Sequence, residues 1–305
     1  MRVVITGGTG LIGRALAADL VADHPVFVLS RHPQRASHLP AGVQVVGWDG
    51  RTAEGWGHLA DGAWAIVNLA GESIAGEKFL PARWTAERKR RLRDSRLQAG
   101  QAVMAAVEAA AQKPVVVVQA SAIGYYGPRQ AEVIDETAAA GQDFLARLAV
   151  EWEASTAAVE HKGVRRVIIR TGVVLARQGG ALPRLLLPYR LFAGGPMGNG
   201  RQYYAWIHLA DEVRAIRALL ENQLAAGPFN LVAPHPLPNR EFGQVLGRVL
   251  GRPSLLPVPG PMMRLAFGEV ATVVLDGQRV IPRRLQEMGF PFRFPDLQAA
   301  LRDLL

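Results

Sequence analysis

Short apolar runs recur along the first two thirds of the chain, and segments with helical spacing separate them. The runs are Val3–Thr6, Val26–Ser30, Val43–Asp49, Ala63–Glu72, Val115–Ser121 and Arg165–Arg170. Because these runs lack a regular polar alternation, they are typical of strands that helices cover on both faces. A helix of about twenty-five residues is predicted before Val115, and another from Asp143 to His161. The pattern predicts an α/β protein with a doubly wound parallel sheet and helices on both faces.

The alternation of strands and helices stops after Leu175. Prolines and glycines then crowd residues 179–200, around a predicted helix from Leu182 to Phe192. Trp206–Asp211 is predicted to start a further helix, with Asp211 as its N-cap.

The last third of the chain is predicted to be mostly helical, after Phe229–Val232 rejoins the sheet. We therefore expect residues 1–175 to form the main domain, with residues 205–235 returning to it. Residues 176–305 should form a smaller C-terminal domain.

A glycine-rich turn joins the first strand to the first predicted helix, Arg14–Leu20. In a dinucleotide-binding βαβ unit, Gly7 would permit the tight turn and Gly10 would let the backbone approach a pyrophosphate. Gly13 would allow close packing of the helix, whose N-terminus attracts phosphate. The predicted cofactor residues of this Rossmann turn are Thr6, Gly7, Thr9, Gly10, Leu11, Ile12 and Gly13.

The second strand ends where an NAD-preferring unit places an acidic residue for the ribose 2′-hydroxyl, and no acid is present there. Arg31 is suited instead to a 2′-phosphate, with Ser30 as a hydrogen-bond donor and Arg35 as a second candidate, which favours NADP(H) over NAD(H). Asp49 could accept a hydrogen bond from the adenine amino group, or it could cap a turn. The small residues of Leu69–Gly71, followed by Glu72, would let a flat cofactor approach the fourth strand.

Three hydroxyl-bearing side chains lie at and just beyond the C-terminal end of the strand Val115–Ser121. Ligands of doubly wound sheets bind outside the carboxyl ends of the strands, so Ser121, Tyr125 and Tyr126 are candidate catalytic residues, and Ser121 is also a candidate cofactor contact. The alternative is that the two tyrosines pack under a loop.

Composition narrows the possible partners. The chain has no cysteine, which excludes disulfides and thiolate chemistry, and no metal site is predicted. The net charge is +9. Most of the basic residues are arginines, and no nucleic-acid-binding motif accompanies them. The densest cluster, Arg83–Arg96, is either a solvated helix face or supplies one or two phosphate contacts.

No apolar run is long enough to span a bilayer, so a cytoplasmic protein without nucleic-acid or membrane partners is expected.

Several segments together resemble the extended short-chain dehydrogenase/reductase superfamily. More narrowly, the chain resembles epimerase-family proteins that carry a C-terminal domain of unknown function. The segments are Thr6–Gly13, Asn68–Glu72, Ser121–Gly127, Gly200–Gln202, Trp206–Asp211, Asn239–Phe242, Gly277–Val280 with Pro282, and Gly289–Phe290. The resemblance implies a Rossmann domain with an NADP(H) site, and a smaller C-terminal domain on the substrate side that roofs a cleft.

The acid/base pair of that superfamily is missing. Its enzymes use a Tyr-x-x-x-Lys pair on one helix, and no such pair occurs in this sequence. The resemblance places the pair on the helix that begins at Asp143, and Asp143–Glu153 contains neither tyrosine nor lysine. The superfamily's catalytic Ser or Thr corresponds to Ala122. Ser121 is one residue away, a shift that ordinarily turns a strand side chain to the opposite face.

Two functions remain open. In the first, the protein is an atypical oxidoreductase or nucleotide-sugar-type epimerase. It would take its proton from Ser121, Tyr125, Tyr126, Glu72 or water. Alternatively, it is a non-catalytic NADP(H)-binding sensor or scaffold, for example a cell-division or assembly factor. Its small-molecule ligand is not identified by the sequence, and we expect a monomer or a homodimer.

Overall fold

A computed structural model describes residues 1–36, 38–76 and 80–305. Its strands are β1 (Val3–Thr6), β2 (Val26–Ser30), β3 (Gln44–Gly47), β4 (Ala65–Asn68), β5 (Val116–Ala122), β6 (Val133–Ile134), β7 (Arg165–Thr171), β8 (Val173–Leu175), β9 (Tyr203–Tyr204), β10 (Trp206–His208), β11 (Gly227–Leu231), β12 (Leu237–Pro238) and β13 (Arg279–Val280). Its helices are α1 (Leu11–Leu20), α2 (Ala86–Ala109), α3 (Phe144–Ala154), α4 (Leu182–Arg190), α5 (Leu209–Glu221), α6 (Asn239–Leu250), α7 (Gly260–Phe267), α8 (Thr272–Leu275), α9 (Arg283–Glu287) and α10 (Leu297–Leu304).

Seven parallel strands form the central sheet of the described chain, in the order β11-β7-β5-β4-β1-β2-β3. From β1 the chain runs outward through β2 to β3, and then crosses to β4 and continues toward the other edge. The direction therefore reverses between β1 and β4, which is where ligands bind in doubly wound sheets. The predicted α/β Rossmann fold is confirmed.

Apolar layers cover both faces of the sheet. Val3 and Ile5 pack with α1 and α5, whereas Val4 faces the opposite layer, which includes Val103 and Val107 of α2. The side chains of the three β1 residues are fully buried. Burial on both faces explains why these strands are continuously apolar in sequence.

Beyond Leu175 the described chain contains helices α4 to α10 and short two-stranded ribbons. β10 pairs with β8, β12 with β9, and β13 with β6. Leu175, Trp206, Phe242 and Leu301 belong to a separate apolar cluster under these elements. The chain returns to the main sheet at β11, which pairs with β7.

The prediction at Trp206–Asp211 was wrong. Residues Trp206–His208 form strand β10, and α5 begins only at Leu209. The N-cap is His208, whose Nδ1 accepts a hydrogen bond from the Ala210 amide at 3.0 Å. Asp211 is fully buried, and its carboxylate accepts hydrogen bonds from the backbone amides of Arg293 and Phe294, both at 2.8 Å. It therefore fixes the C-terminal segment to α5.

Further element boundaries differ from the prediction, among them those of the third strand and of the helix that was predicted to begin at Asp143. The third strand is shorter, Gln44–Gly47, because the following residues turn at Asp49. The predicted helix from Asp143 to His161 is divided: α3 ends at Ala154, and a 3-10 helix occupies Ala157–Lys162.

Candidate cofactor and substrate site

The turn after β1 requires glycine at two positions. Gly7 has φ +64°, and a Cβ added there would lie 2.8 Å from the carbonyl carbon of Leu69. A Cβ at Gly13 would lie 2.5 Å from the carbonyl oxygen of Gly7. The turn is therefore packed backbone against backbone on two sides.

The N-terminus of α1 is available to an anion. Its N-cap, Gly10, provides no side-chain hydrogen bond, and its first turn holds no acidic residue. The first backbone N–H groups of a helix have no intrahelical acceptor, and the helix dipole adds a partial positive charge. These N–H groups belong to a surface that suits phosphate.

A cleft of about 460 Å³ lies at this turn, at the carboxyl ends of the strands. Ten of the predicted cofactor residues line it: Gly7, Thr9, Gly10, Ser30, Arg31, Asp49, Leu69, Ala70, Gly71 and Glu72. The other residues that line it are Leu29, Trp48, Gly50, Arg51, Arg91, Asp94, Ser95 and Gln98. Arg91 belongs to the arginine-rich segment for which one or two phosphate contacts were one of the two interpretations.

Five predicted cofactor residues do not line this cleft: Thr6, Leu11, Ile12, Gly13 and Ser121. Thr6 is buried; its hydroxyl donates to Asn68 Oδ1 at 2.6 Å and accepts from the Ala70 amide at 3.2 Å, so its side chain shapes the turn. Leu11 is close to Gly180, and Ile12 packs against the main core.

The residues predicted to select the cofactor meet at one end of the cleft. The exposed Arg31 side chain lies against Gly50, and Ser30 Oγ accepts a hydrogen bond from the His32 amide at 3.1 Å. Asp49 caps a turn, which was one of the two roles considered for it from the sequence. Its Oδ1 accepts hydrogen bonds from the backbone amides of Arg51 and Thr52. Hydrogen bonds from the Thr52 and Arg51 backbone lower the pKa of Asp49, despite slight burial.

A second, mostly apolar cavity of about 240 Å³ adjoins this region. Parts of its wall come from the ends of β5 and β7, from α3 and from residues near β9. Its lining includes Arg96, Ala122, Gly124, Leu148, Ala149, Trp152, Thr171, Val173, Tyr203, Tyr204, Asp276 and Gln278.

The candidate catalytic residues Ser121, Tyr125 and Tyr126 are not among the residues that line this cavity. Ser121 Oγ donates to Glu153 Oε1 at 2.7 Å. Arg170 binds the same carboxylate through two nitrogens, at 2.8 and 3.0 Å. The hydroxyl is therefore engaged in a buried ion-pair network, as the one-residue shift from Ala122 allows.

Tyr126 belongs to the same network. Its hydroxyl donates to Asn230 Oδ1 at 2.7 Å and accepts from Arg170 Nη1 at 3.0 Å. Burial raises the pKa of Tyr126 to about 12, although Arg170 opposes the change. The Tyr125 ring stacks on the Arg170 guanidinium, 3.5 Å from the ring centroid. The geometry supports the alternative that both tyrosines pack under a loop.

A hydroxyl-bearing residue of the neighbouring strand does line the cavity. Thr171 of β7 is registered opposite Ala122 of β5, and both residues line the cavity. The Thr171 hydroxyl donates a hydrogen bond to Oε1 of the fully buried Glu212 at 2.8 Å. Burial raises the pKa of Glu212 to about 8, although the Thr171 hydrogen bond opposes this, and its Oε2 has no hydrogen-bond partner among the described residues.

Arg96 is a second cavity residue that sequence reasoning did not single out. Only 5% of it is exposed, and its guanidinium lies 4.7 Å from the Trp152 ring centroid. Its Nη1 donates to the backbone oxygens of Glu72 and Leu92, at 3.1 and 2.9 Å. Burial lowers the pKa of Arg96 to about 10, with the Glu72 charge acting in the opposite direction.

A helical spacing within the arginine-rich segment could have identified Arg96. Arg88, Leu92, Arg96 and Ala99 follow one another at intervals of four, four and three residues, and all are buried in α2. The remaining arginines of the segment obscured this stripe. One face of the predicted solvated helix is in fact buried.

The described residues also bear on metal binding and on membrane insertion. No group of three potential metal-ligating side chains is present in them. None of their helices combines the length and apolar character needed to cross a membrane.

Comparisons with known proteins agree with this architecture. The chain is 40% identical over 308 residues to the epimerase family protein SDR39U1 homolog, chloroplastic, of Arabidopsis thaliana, covering 100% of this chain and 87% of that protein. It is 38% identical over 305 residues to epimerase family protein SAR0825 of Staphylococcus aureus, covering 99% and 98%. The crystal structure of human epimerase family protein SDR39U1 (isoform 2) with NADPH matches with a TM-score of 0.87 and 36% identity, covering 100% of this chain and 99% of that one.

Family models cover most of the sequence. A domain of unknown function, DUF1731, matches residues 258–304. The NAD dependent epimerase/dehydratase family matches residues 3–231. With this match and the full-length relatives, the chain belongs to the NAD dependent epimerase/dehydratase family and carries a C-terminal DUF1731 domain.

Proposed function

We propose that the protein binds NADP(H) in the larger cleft and uses it in a redox reaction on a small molecule held in the adjoining cavity. The observation that carries this proposal is the shared wall of the two spaces. Gly71 and Glu72 line the cleft, whereas Arg96, which donates to the Glu72 carbonyl, lines the cavity. A cofactor in the cleft would therefore reach the entrance of the cavity.

The described residues fit a dinucleotide phosphate. The uncapped α1 N-terminus suits the pyrophosphate, and the exposed Arg31 suits a 2′-phosphate. Bound NADP(H) would supply or accept a hydride. The related human protein was crystallised with NADPH, which supports this choice of cofactor.

Thr171 and Glu212 offer the proton that the missing Tyr-x-x-x-Lys pair would have exchanged. In the structure the Thr171 hydroxyl donates to Glu212 Oε1 over 2.8 Å. For the reaction this hydroxyl would turn to a substrate oxygen, donate its proton there and accept the proton of the Glu212 carboxyl in its place. A buried carboxyl with a pKa of about 8 is mostly protonated at neutral pH, so it holds the required proton. A group so near neutrality is suited to acid/base work.

A small substrate suits the cavity better than a nucleotide sugar. Its volume of about 240 Å³ lies below the roughly 300–1,000 Å³ of drug-sized ligand pockets. We therefore favour oxidoreduction of a small molecule over epimerisation of a nucleotide sugar.

A non-catalytic NADP(H)-binding sensor or scaffold is the second candidate. The observation in its favour is that the Ser121 and Tyr126 hydroxyls are engaged in a buried network. In that case, cofactor binding would be retained without chemistry. The cytoplasmic location and the monomeric or homodimeric state remain predictions.

Turnover separates the two candidates. The NADPH-loaded protein is mixed with panels of aldehydes, ketones and nucleotide sugars, and NADPH fluorescence is followed. Oxidation by a small carbonyl compound, with loss of the rate in Thr171→Val, would support the redox proposal. Cofactor binding without oxidation by any panel member would favour the sensor or scaffold.

A further inference from the structure

Arg96 is a buried cation without an acidic partner. Only 5% of the residue is exposed, and no carboxylate of the described residues lies within ion-pair distance. Glu72 forms its own ion pairs with Arg88 and Arg91, at 3.4 and 3.8 Å. Buried charges are ordinarily paired, because an isolated charge loses its hydration without compensation.

The contacts that Arg96 does make leave one edge of its guanidinium unused. Nη1 donates to two backbone oxygens, and the cation–π contact with Trp152 provides partial compensation. Nε and Nη2 have no acceptor among the described residues. These two nitrogens form the side-on fork that binds a carboxylate through two parallel hydrogen bonds.

The cavity around this fork is otherwise poor in free charge. Arg96 is the only cationic residue that lines it within the described chain. Asp143 also lines it, but its Oδ1 accepts from the Ala146 amide at 2.7 Å and caps α3. Asp276 is 3.2 Å from Arg264 Nη2. A single guanidinium, in a mostly apolar wall that also holds two engaged carboxylates, matches a monoanion better than a doubly charged phosphate.

We propose that Arg96 is the anion-binding residue of this cavity, and that the ligand is a small molecule with a carboxylate on an apolar body. The apolar part contacts Trp152, Leu148 and Ala149, while the carboxylate receives Nε–H and Nη2–H of Arg96. This inference names the substrate class of the proposed function and rests on the cavity assigned there. Because Arg96 also touches the Gly71–Glu72 turn, the carboxylate would be held beside the cofactor cleft.

The test compares acids with amides of the same shape. Binding of phenylacetate, benzoate and 3-methylbutanoate, each against its carboxamide, is measured by ligand-observed NMR with and without saturating NADPH. Wild-type protein should prefer at least one carboxylate by about tenfold, the value of a charge-assisted contact. Equal binding of acid and amide, or no binding of any acid, would overturn the inference.

Variants locate the preference. Arg96→Gln should abolish it, and Arg96→Lys should retain part of it through the remaining charge. Arg90→Gln is the matched control, because it removes an exposed charge from the same helix and should leave the preference intact. Circular dichroism and NADPH affinity show whether each variant is folded. If Arg96→Gln is unfolded, the inference is judged from the preference for carboxylates over amides in the wild-type protein and in Arg96→Lys. A folded Arg96→Gln that still prefers acids would refute the assignment.

The two proposals fail differently. A protein that does not bind NADPH but keeps an Arg96-dependent preference for carboxylates would refute the proposed function and leave this inference standing. A protein that binds NADPH and has no preference for carboxylates would refute the role of Arg96 alone.

Discussion

Ser121 of β5 donates its hydroxyl proton to Glu153 of α3, with 2.7 Å between Oγ and Oε1. The same carboxylate is bound by Arg170 of β7. α3 is the helix that the family resemblance would expect to carry the Tyr-x-x-x-Lys pair. In this chain it carries instead a buried carboxylate that ties it to two strands of the sheet.

Glu153→Ala should therefore destabilise the protein strongly. It leaves the Arg170 guanidinium buried without its partner, at a cost of about 3–5 kcal/mol. Ser121→Ala should cost about 1 kcal/mol and leave cofactor binding unchanged. Urea unfolding measures both, with Glu151→Ala on the same helix as the control, because Glu151 is only half-buried and its ion pair with Arg93 lies at the surface. A Ser121→Ala protein of normal stability that has lost all activity would contradict the structural role.

Gly13→Ala should abolish NADPH binding and lower stability. An added Cβ would lie 2.5 Å from the Gly7 oxygen and 2.6 Å from the Gly8 Cα, so the turn must move. The cost should be at least the 1–3 kcal/mol typical of overpacking. Gly47→Ala is the control, because its Cβ would make an ordinary contact of 3.7 Å with Pro33. Unchanged NADPH affinity in Gly13→Ala would show that the turn does not shape the cofactor site.

Arg31→Asp should weaken NADPH binding about tenfold or more and spare NADH, since only NADPH carries the 2′-phosphate. The measurement is a fluorescence titration with both cofactors. Arg35→Asp is the charge-matched control, because Arg35 does not line the cleft. Equal losses of NADH and NADPH affinity would refute the assigned role of Arg31.

Glu212 should make stability fall with rising pH. Its pKa is about 8 in the folded protein, where burial raises it, against 4.5 for the ordinary side chain. Between these values the folded state keeps a proton that the unfolded state has released. The contribution of Glu212 to the free energy of unfolding is therefore complete below about pH 4.5. It decreases toward pH 8, by up to roughly 1.4 kcal/mol per pH unit.

Glu212→Gln cannot ionise and should remove this dependence. Its free energy of unfolding relative to wild type should increase from pH 5 to pH 8 in urea titrations, and the exposed Glu221→Gln should show no such trend. Parallel pH curves for wild type and Glu212→Gln would contradict the raised pKa. If Glu212 supplies the reaction's proton, the wild-type rate should also decline above about pH 8.

Local sequence patterns predicted the parts of the fold that depend on neighbouring residues. Val3–Thr6 and the glycine turn are recognisable because each position must satisfy burial or backbone contact within a few residues. The misassigned strand at Trp206–His208 depends instead on pairing with β8, about thirty residues earlier. Asp211 likewise has its partners at Arg293 and Phe294, which no local rule connects to it.

The candidate site was predictable on the cofactor side and much less so in the cavity. The residues from Gly7 to Gly10 and at Arg31 follow a motif with a fixed order. Thr171 and Arg96 reach the cavity only through the register of β5 with β7 and the rotation of α2. In the sequence, Glu153 cannot be distinguished from an exposed helix glutamate. Its burial follows from the ion pair with Arg170, which only the three-dimensional structure brings beside it.

NADPH affinity tests the central claim most directly. Purified protein is titrated with NADPH and, separately, with NADH while cofactor fluorescence is followed. We predict saturable, sub-millimolar binding of NADPH with a clear preference over NADH, and loss of that preference in Arg31→Asp. Absence of saturable NADPH binding by the folded wild-type protein would contradict both proposed functions.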